Sequence, residues 1–128
     1  MSETTRSIGK WSLETFGKPR DPAAFIGRAL EEFVELIGDY MEVPENKRSF
    51  FDSSLDVMSV VAKYLKDIAV FKQADRLAHT ESADIRIFLE HFNYALGVDG
   101  QAEVEKKMEI NRGREWNIDP NSGTAQHK

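Results

Sequence analysis

The chain has 128 residues, no cysteine and a formal net charge of -5. Disulfides, zinc–thiolate sites and thiol nucleophiles are therefore excluded, and nucleic acid is not expected as the main partner, because phosphate backbones call for a basic surface. With 41% hydrophobic and 30% charged residues, the composition is that of one globular domain large enough for a real core.

The first ten residues, "MSETTRSIGK", are polar and lack the apolar stretch of a signal peptide, so 1–10 reads as a loose arm. "WSLETFG" adds a short apolar lead-in ending at Gly17, and "KPRDP" a turn. Asp21-Pro22 predicts a helix start, with Asp as N-cap and Pro at the first helical position. Ile26, Leu30, Phe33, Ile37 and Tyr40 follow at spacings of four and three, the signature of an amphipathic helix, and "VPEN" (43–46) ends it. Leu55, Met58, Ala62, Leu65 and Ile68 mark a second helix within 50–71. A third contains Ile85, Phe88, Leu89, Phe92 and Leu96, with Thr80 as N-cap and Gly97 as its stop. After the "VDG" turn a shorter fourth helix runs from about Gln101 to Glu115. The tail, 117–128, is rich in turn formers and is expected to be extended. No β-alternating run persists, and no apolar run approaches the roughly 18 residues of a membrane span. The expectation is a single all-α domain over 1–128, a four-helix-type bundle, cytoplasmic and not membrane-bound.

Within the first helix, Glu31, Glu32, Glu35 and Asp39 fall in an arc of roughly 100°, largely opposite the Ile26/Leu30/Ile37 stripe. Taken alone, this is a solvated acidic face. Yet Glu31 and Glu35 are i,i+4 and Glu32 and Glu35 are i,i+3, so like charges are neighbours. No lysine on this face relieves them, although Arg28 can.

The third helix shifts the balance towards a bound cation. Glu81, Asp84, Phe88, Phe92 and Ala95 share a stripe, which puts two acids on the side of the core aromatics. A carboxylate turned into a bundle costs several kcal/mol unless it is paired, protonated or bound to a cation. Two helices, one with Glu-x-x-Glu and one with Glu-x-x-Asp, can aim carboxylates at a common point. Hard oxygen ligands without His or Cys select Mg²⁺ or Mn²⁺ rather than zinc. A di-iron bundle site would need Glu-x-x-His on two helices, and His79, His91 and His127 are preceded three positions earlier by Arg76, Phe88 and Thr124. A P-loop and a Gly-x-Gly-x-x-Gly fingerprint are also absent.

On the fourth helix Lys107, Asn111 and Arg114 are spaced four and three apart and share a face. Either this is a solvated basic helix end suited to the C-terminal dipole, or it is the positive charge a polyphosphate requires. Trp11 and Trp116 read as core or edge-packing residues, with base stacking as the other possibility.

Three blocks, "EEFVEL" (31–36), "ESADIRIFLEHFNYALGVD" (81–99) and "EKKMEINRGREW" (105–116), together resemble the MazG-like nucleotide pyrophosphohydrolases, an all-α superfamily. The lead-in "WSLETFG" and the ending "GTAQH" are similar to phage and bacterial members acting on dATP or dGTP. The resemblance implies metal-binding roles for Glu32, Glu35, Glu81 and Asp84, with two or more Mg²⁺ or Mn²⁺ ions per site. It implies that Glu31 holds a further metal or orients the attacking water, with Glu35 beside it in catalysis, and that Lys107, Asn111 and Arg114 contact the nucleotide. It also implies a homodimer or homotetramer, in a host cytoplasm if the gene is a phage's. The stretch between Glu35 and Glu81 is longer than in compact members and holds a full helix, 50–71. The expected activity is divalent-metal-dependent hydrolysis of a nucleoside triphosphate, dGTP or GTP foremost, to the monophosphate and pyrophosphate. The rival is a helical interaction module whose acidic face docks a basic partner without chemistry.

Overall fold

Helices dominate the computed structural model, which describes residues 2–72 and 76–128, the side chains of 76–78 excepted. In chain order they are α1 (Thr5–Phe16), α2 (Ala23–Tyr40), α3 (Arg48–Asp67), α4 (Arg76–Ala95) and α5 (Gly100–Arg112). A 3-10 turn at Glu45–Lys47 leads into α3, and short strands β1 (Trp116–Ile118) and β2 (Ala125–His127) pair as a two-stranded sheet. The chain is thus mostly helical, as its periodicity predicts.

The chain divides into two compact units, one of Met1–Gly17, Lys72–Asn117 and His127–Lys128, the other of Lys18–Phe71 and Ile118–Gln126. Each unit gathers separate stretches of chain.

In the second unit, α2 and α3 pack antiparallel. Gly27 lies against Ala62 and Lys66, and Gly38 against Leu55. Gly27 is buried, and a Cβ there would lie 2.6 Å from the Ala62 carbonyl oxygen, so only glycine lets the backbones approach this closely. Ala23, Ala24 and Ala62 are buried around this crossing. The N-cap of α2 is Pro22, so Asp21 stands one residue ahead of the cap position expected for it; its carboxylate accepts from the Ala23 N–H at 2.9 Å and from the Phe71 N–H at 2.8 Å. These two N–H groups hold its carboxyl below the usual carboxylate range. Pro22 flanks the helix rather than opening it.

The far end of α3 is closed by Arg20, whose guanidinium donates to the carbonyls of Leu65, Lys66 and Ala69. The same Arg20 receives the tail: its N–H donates to the Ser122 carbonyl at 2.9 Å. Ser122 and Thr124 are buried with their hydroxyls 2.7 Å apart, and Gly123 (φ 77°) sits against Pro19. The tail is extended only in the short strands β1 and β2; between them Asp119 organises a folded turn by accepting the Asn121 N–H and donating its own N–H to the Thr124 carbonyl.

In the first unit the supposed loose arm is helix α1. It starts with a capping box in which Thr4 and Ser7 each accept the other's N–H. Trp11, Phe16 and Trp116 form an edge-to-face cluster with ring centroids 5.1–5.9 Å apart, so both tryptophans are packing residues here. Arg112 forms a two-pronged pair with Glu3, which ties the end of α5 to the start of α1. That partner lowers the Glu3 carboxyl and raises the Arg112 guanidinium. Helix α4 begins at Arg76, so Thr80 lies inside it rather than capping it. Gly97 (φ 72°) does stop α4: the Val98 N–H returns to the Asn93 carbonyl and the Gly97 N–H to that of Tyr94, a Schellman motif. Asp99 then caps α5 by accepting the Ala102 N–H.

Much apolar surface stays uncovered. On α3, Phe50, Val57, Val60, Val61 and Tyr64 are exposed, Val60 by 69%, and fall within about 100° on the helical wheel. They form a second stripe distinct from the one on α2. Residues 79–91 of α4 are exposed throughout.

Candidate metal centre

The α2 acids are held by cations that come from different places in the sequence. Arg28, one turn earlier, forms ion pairs with Glu31 and Glu32, placing Nη2 2.8 Å from Glu32 Oε1 and Nη1 3.6 Å from Glu31 Oε1. Its Nε donates to the Ala125 carbonyl, so the tail fixes the guanidinium. Lys66 of α3 brings its ammonium 3.1 Å from Glu31 Oε2. The Lys66 side chain is only 12% exposed and that of Glu31 26%, which makes this an inner ion pair rather than a surface one. Glu31 Oε1 is shielded from solvent and accepts no hydrogen bond among the described residues.

Glu35 and Asp39 lie further along α2 and are exposed. Glu32 is also exposed, at 59%, so the face grades from a half-buried, paired Glu31 to open carboxylates. No lysine on the α2 face relieves these acids, but Lys66 of α3 does. It stands 35 residues from Glu31 and becomes a neighbour only through the α2–α3 crossing.

Glu81 and Asp84 ride on α4 one turn apart and are exposed, and Phe88 is 70% exposed. The predicted stripe exists, but over residues 81–91 it is exposed in the single chain rather than facing a covered interior. Phe92 is half-buried. Lys107 is exposed on α5. Asn111 is half-buried, with its carbonyl accepting the Trp116 Nε1–H at 3.2 Å and its side-chain Oδ1 shielded from solvent. Arg114 falls beyond the helix, which ends at Arg112 with Gly113 as its C-cap, so it shares no helical face with Lys107. Its Nη1 lies 3.3 Å from His127 Nδ1.

By donor chemistry, Glu32, Glu35, Glu81 and Asp84 suit Mg²⁺ or Mn²⁺, which take carboxylate oxygens. Among the described residues no three His, Asp or Glu side chains are grouped closely enough to hold a metal ion. Glu31, Glu32 and Glu35 belong to the α2–α3 unit, and Glu81, Asp84, Lys107, Asn111 and Arg114 to the other. Each half is thus a pair or short row of acids on an unbroken helix. No helix among the described residues is long and apolar enough to cross a membrane. Searches of family models, curated proteins and solved structures find no match to this chain.

Proposed function

We propose that this protein is a MazG-like, divalent-metal-dependent nucleoside triphosphate pyrophosphohydrolase. The observation that carries the reading is the charge layout of α2: a half-buried, cation-paired Glu31 stands next to Glu32 and Glu35, whose carboxylates are open to a ligand. A face meant only for solvent has no need of a nearly buried lysine against one of its acids, since the desolvation cost of an ion pair is repaid only by good geometry.

In this proposal Glu32, Glu35, Glu81 and Asp84 hold two or more Mg²⁺ or Mn²⁺ ions. When bound, these neutralise triphosphate charge and acidify water. Glu31 accepts a proton from the attacking water through its shielded Oε1. The water oxygen joins phosphorus, the α–β phosphoanhydride bond breaks, and a monophosphate and pyrophosphate leave. Lys107 and Arg114 offset the triphosphate charge, and Asn111 offers an amide to the sugar or a phosphate. The base we favour is guanine, with dGTP as first substrate and GTP and dATP behind it.

The assembly in this proposal is a homodimer or homotetramer. Its support is the uncovered α3 stripe from Phe50 to Tyr64 and the uncovered α4, since apolar stripes of this size mark interfaces. A turnover panel of the eight common ribo- and deoxynucleoside triphosphates with Mn²⁺, read by pyrophosphate and orthophosphate release, tests the function. Pyrophosphate from a purine nucleotide is expected; orthophosphate instead, or no turnover at all, overturns the reaction class.

A further inference from the structure

The helix between the two acidic motifs has no role in the chemistry so far, yet it delivers the one lysine that reaches the α2 acids among the described residues. We infer that Lys66 is a positioning residue for the site: it holds Glu31 by Oε2 and leaves the shielded Oε1 as an acceptor with no hydrogen bond among the described residues. This inference rests on the pyrophosphohydrolase reading.

Four observations converge on it. First, the Lys66 side chain is 12% exposed and its ammonium lies 3.1 Å from Glu31 Oε2, so the lysine is tied to that oxygen rather than free in solvent. Second, its stem lies over Gly27, where an added Cβ would meet Lys66 Cγ at 2.8 Å and Lys66 N at 3.0 Å. Third, the backbone that carries Lys66 is clamped, since Arg20 donates to the Lys66 carbonyl and its neighbours and Asp21 accepts the Phe71 N–H. Fourth, Glu31 Oε1 keeps its acceptor capacity, because Arg28 Nη1 at 3.6 Å attracts it without a hydrogen bond. One oxygen is anchored and the other is left to act. A carboxylate free to rotate would spend part of its time with neither oxygen aligned, and misplacement of this kind costs rate rather than substrate affinity.

The test compares wild type, Lys66→Met, Lys66→Arg, Glu31→Gln and the double variant Lys66→Met/Glu31→Gln in turnover of dGTP at saturating Mn²⁺, with circular dichroism on each. Lys66→Met is expected to lower kcat by about 10- to 100-fold with KM changed little, and Lys66→Arg to recover part of the loss. In the Glu31→Gln background the Lys66→Met change should cost almost nothing further, because the lysine acts through that carboxylate. A purely structural lysine would give equal losses in both backgrounds. Wild-type turnover with unchanged kcat in Lys66→Met, or full additivity in the double variant, overturns the role of Lys66 and leaves the function standing. Wild type without turnover overturns the function and this role with it. If Lys66→Met is unfolded, Lys66→Gln and Lys66→Arg carry the same comparison, and unchanged kcat in both overturns the role.

Discussion

Gly27→Ala is the sharpest physical test of the α2–α3 crossing. In an exposed helix interior this substitution would gain up to about 1 kcal/mol, because alanine loses less backbone freedom than glycine. Here the new methyl would stand 2.6 Å from the Ala62 carbonyl oxygen and 3.0 Å from the Lys66 nitrogen, with Lys66 Cγ at 2.8 Å. Two of those three atoms are backbone and cannot rotate away, so the helices must separate. Overpacking of that kind costs about 1–3 kcal/mol, and the separation also loosens the cover over Ala23, Ala24 and Ala62. The net expectation is a loss of roughly 1–2 kcal/mol, or about 4–8 °C in Tm for a chain of this size. Gly38→Ala is the matched control. It meets only Leu55 Cδ1 at 3.5 Å, an ordinary contact, and should stabilise by up to about 1 kcal/mol. Urea and thermal melts followed by circular dichroism read both. A Gly27→Ala protein as stable as wild type would refute the close crossing, and with it the placement of Lys66.

Glu35→Gln and Asp84→Asn should each cut turnover by at least about 100-fold, since even the groups that merely support metal ligands cost 10- to 100-fold. Helix content should be unchanged and the metal-free Tm equal or higher, because one negative charge leaves an acidic face; wild-type turnover in either variant rejects its assignment. Asp21→Asn should lower the urea midpoint at neutral pH. The Asp21 carboxyl lies below its ordinary 3.8 in the folded chain, so its contribution is full above that value and is lost as pH falls through the lowered pKa. The gap between variant and wild type should therefore close in strong acid, and a gap of constant size would reject the role given to these two hydrogen bonds. If the proposed dimer or tetramer forms through the α3 stripe, Val60→Glu with Tyr64→Glu should convert it to monomers in light scattering, because both lie on that uncovered stripe; an unchanged oligomeric mass rejects this interface.

The helices were legible where one residue pattern decides them. Ile26 to Tyr40 announces α2, and Gly97 announces the end of α4 through a conformation that only glycine adopts readily. Helix α1 was hidden because its start depends on a Thr4–Ser7 exchange between two weak cap residues, without an apolar period behind it. Thr80 misled for the opposite reason: a good cap residue also sits inside helices when the chain before it is already wound. The folded tail escaped notice because its turn residues make no periodic pattern, and their partner, Arg20, is far away in sequence. Lys66 was missed for the same cause. Acid motifs are local in sequence, but the cation that balances Glu31 becomes a neighbour only after two helices cross.

The turn from Asp119 to Thr124 has a consequence for vectorial synthesis. Arg28 donates to a carbonyl 97 residues further along the chain, and the approach to α2 is completed only when Ser122 arrives at Arg20. A ribosome therefore releases α2 and α3 long before the piece that fastens their open end exists. Closing so long a loop is entropically costly and slow compared with forming the helices. During that interval the helical hairpin carries an unfastened Arg28. The segment that looks most dispensable in the sequence is the latch that fastens Arg20 and Arg28, and cleavage between 117 and 126 would free side chains that lie nearly a hundred residues upstream.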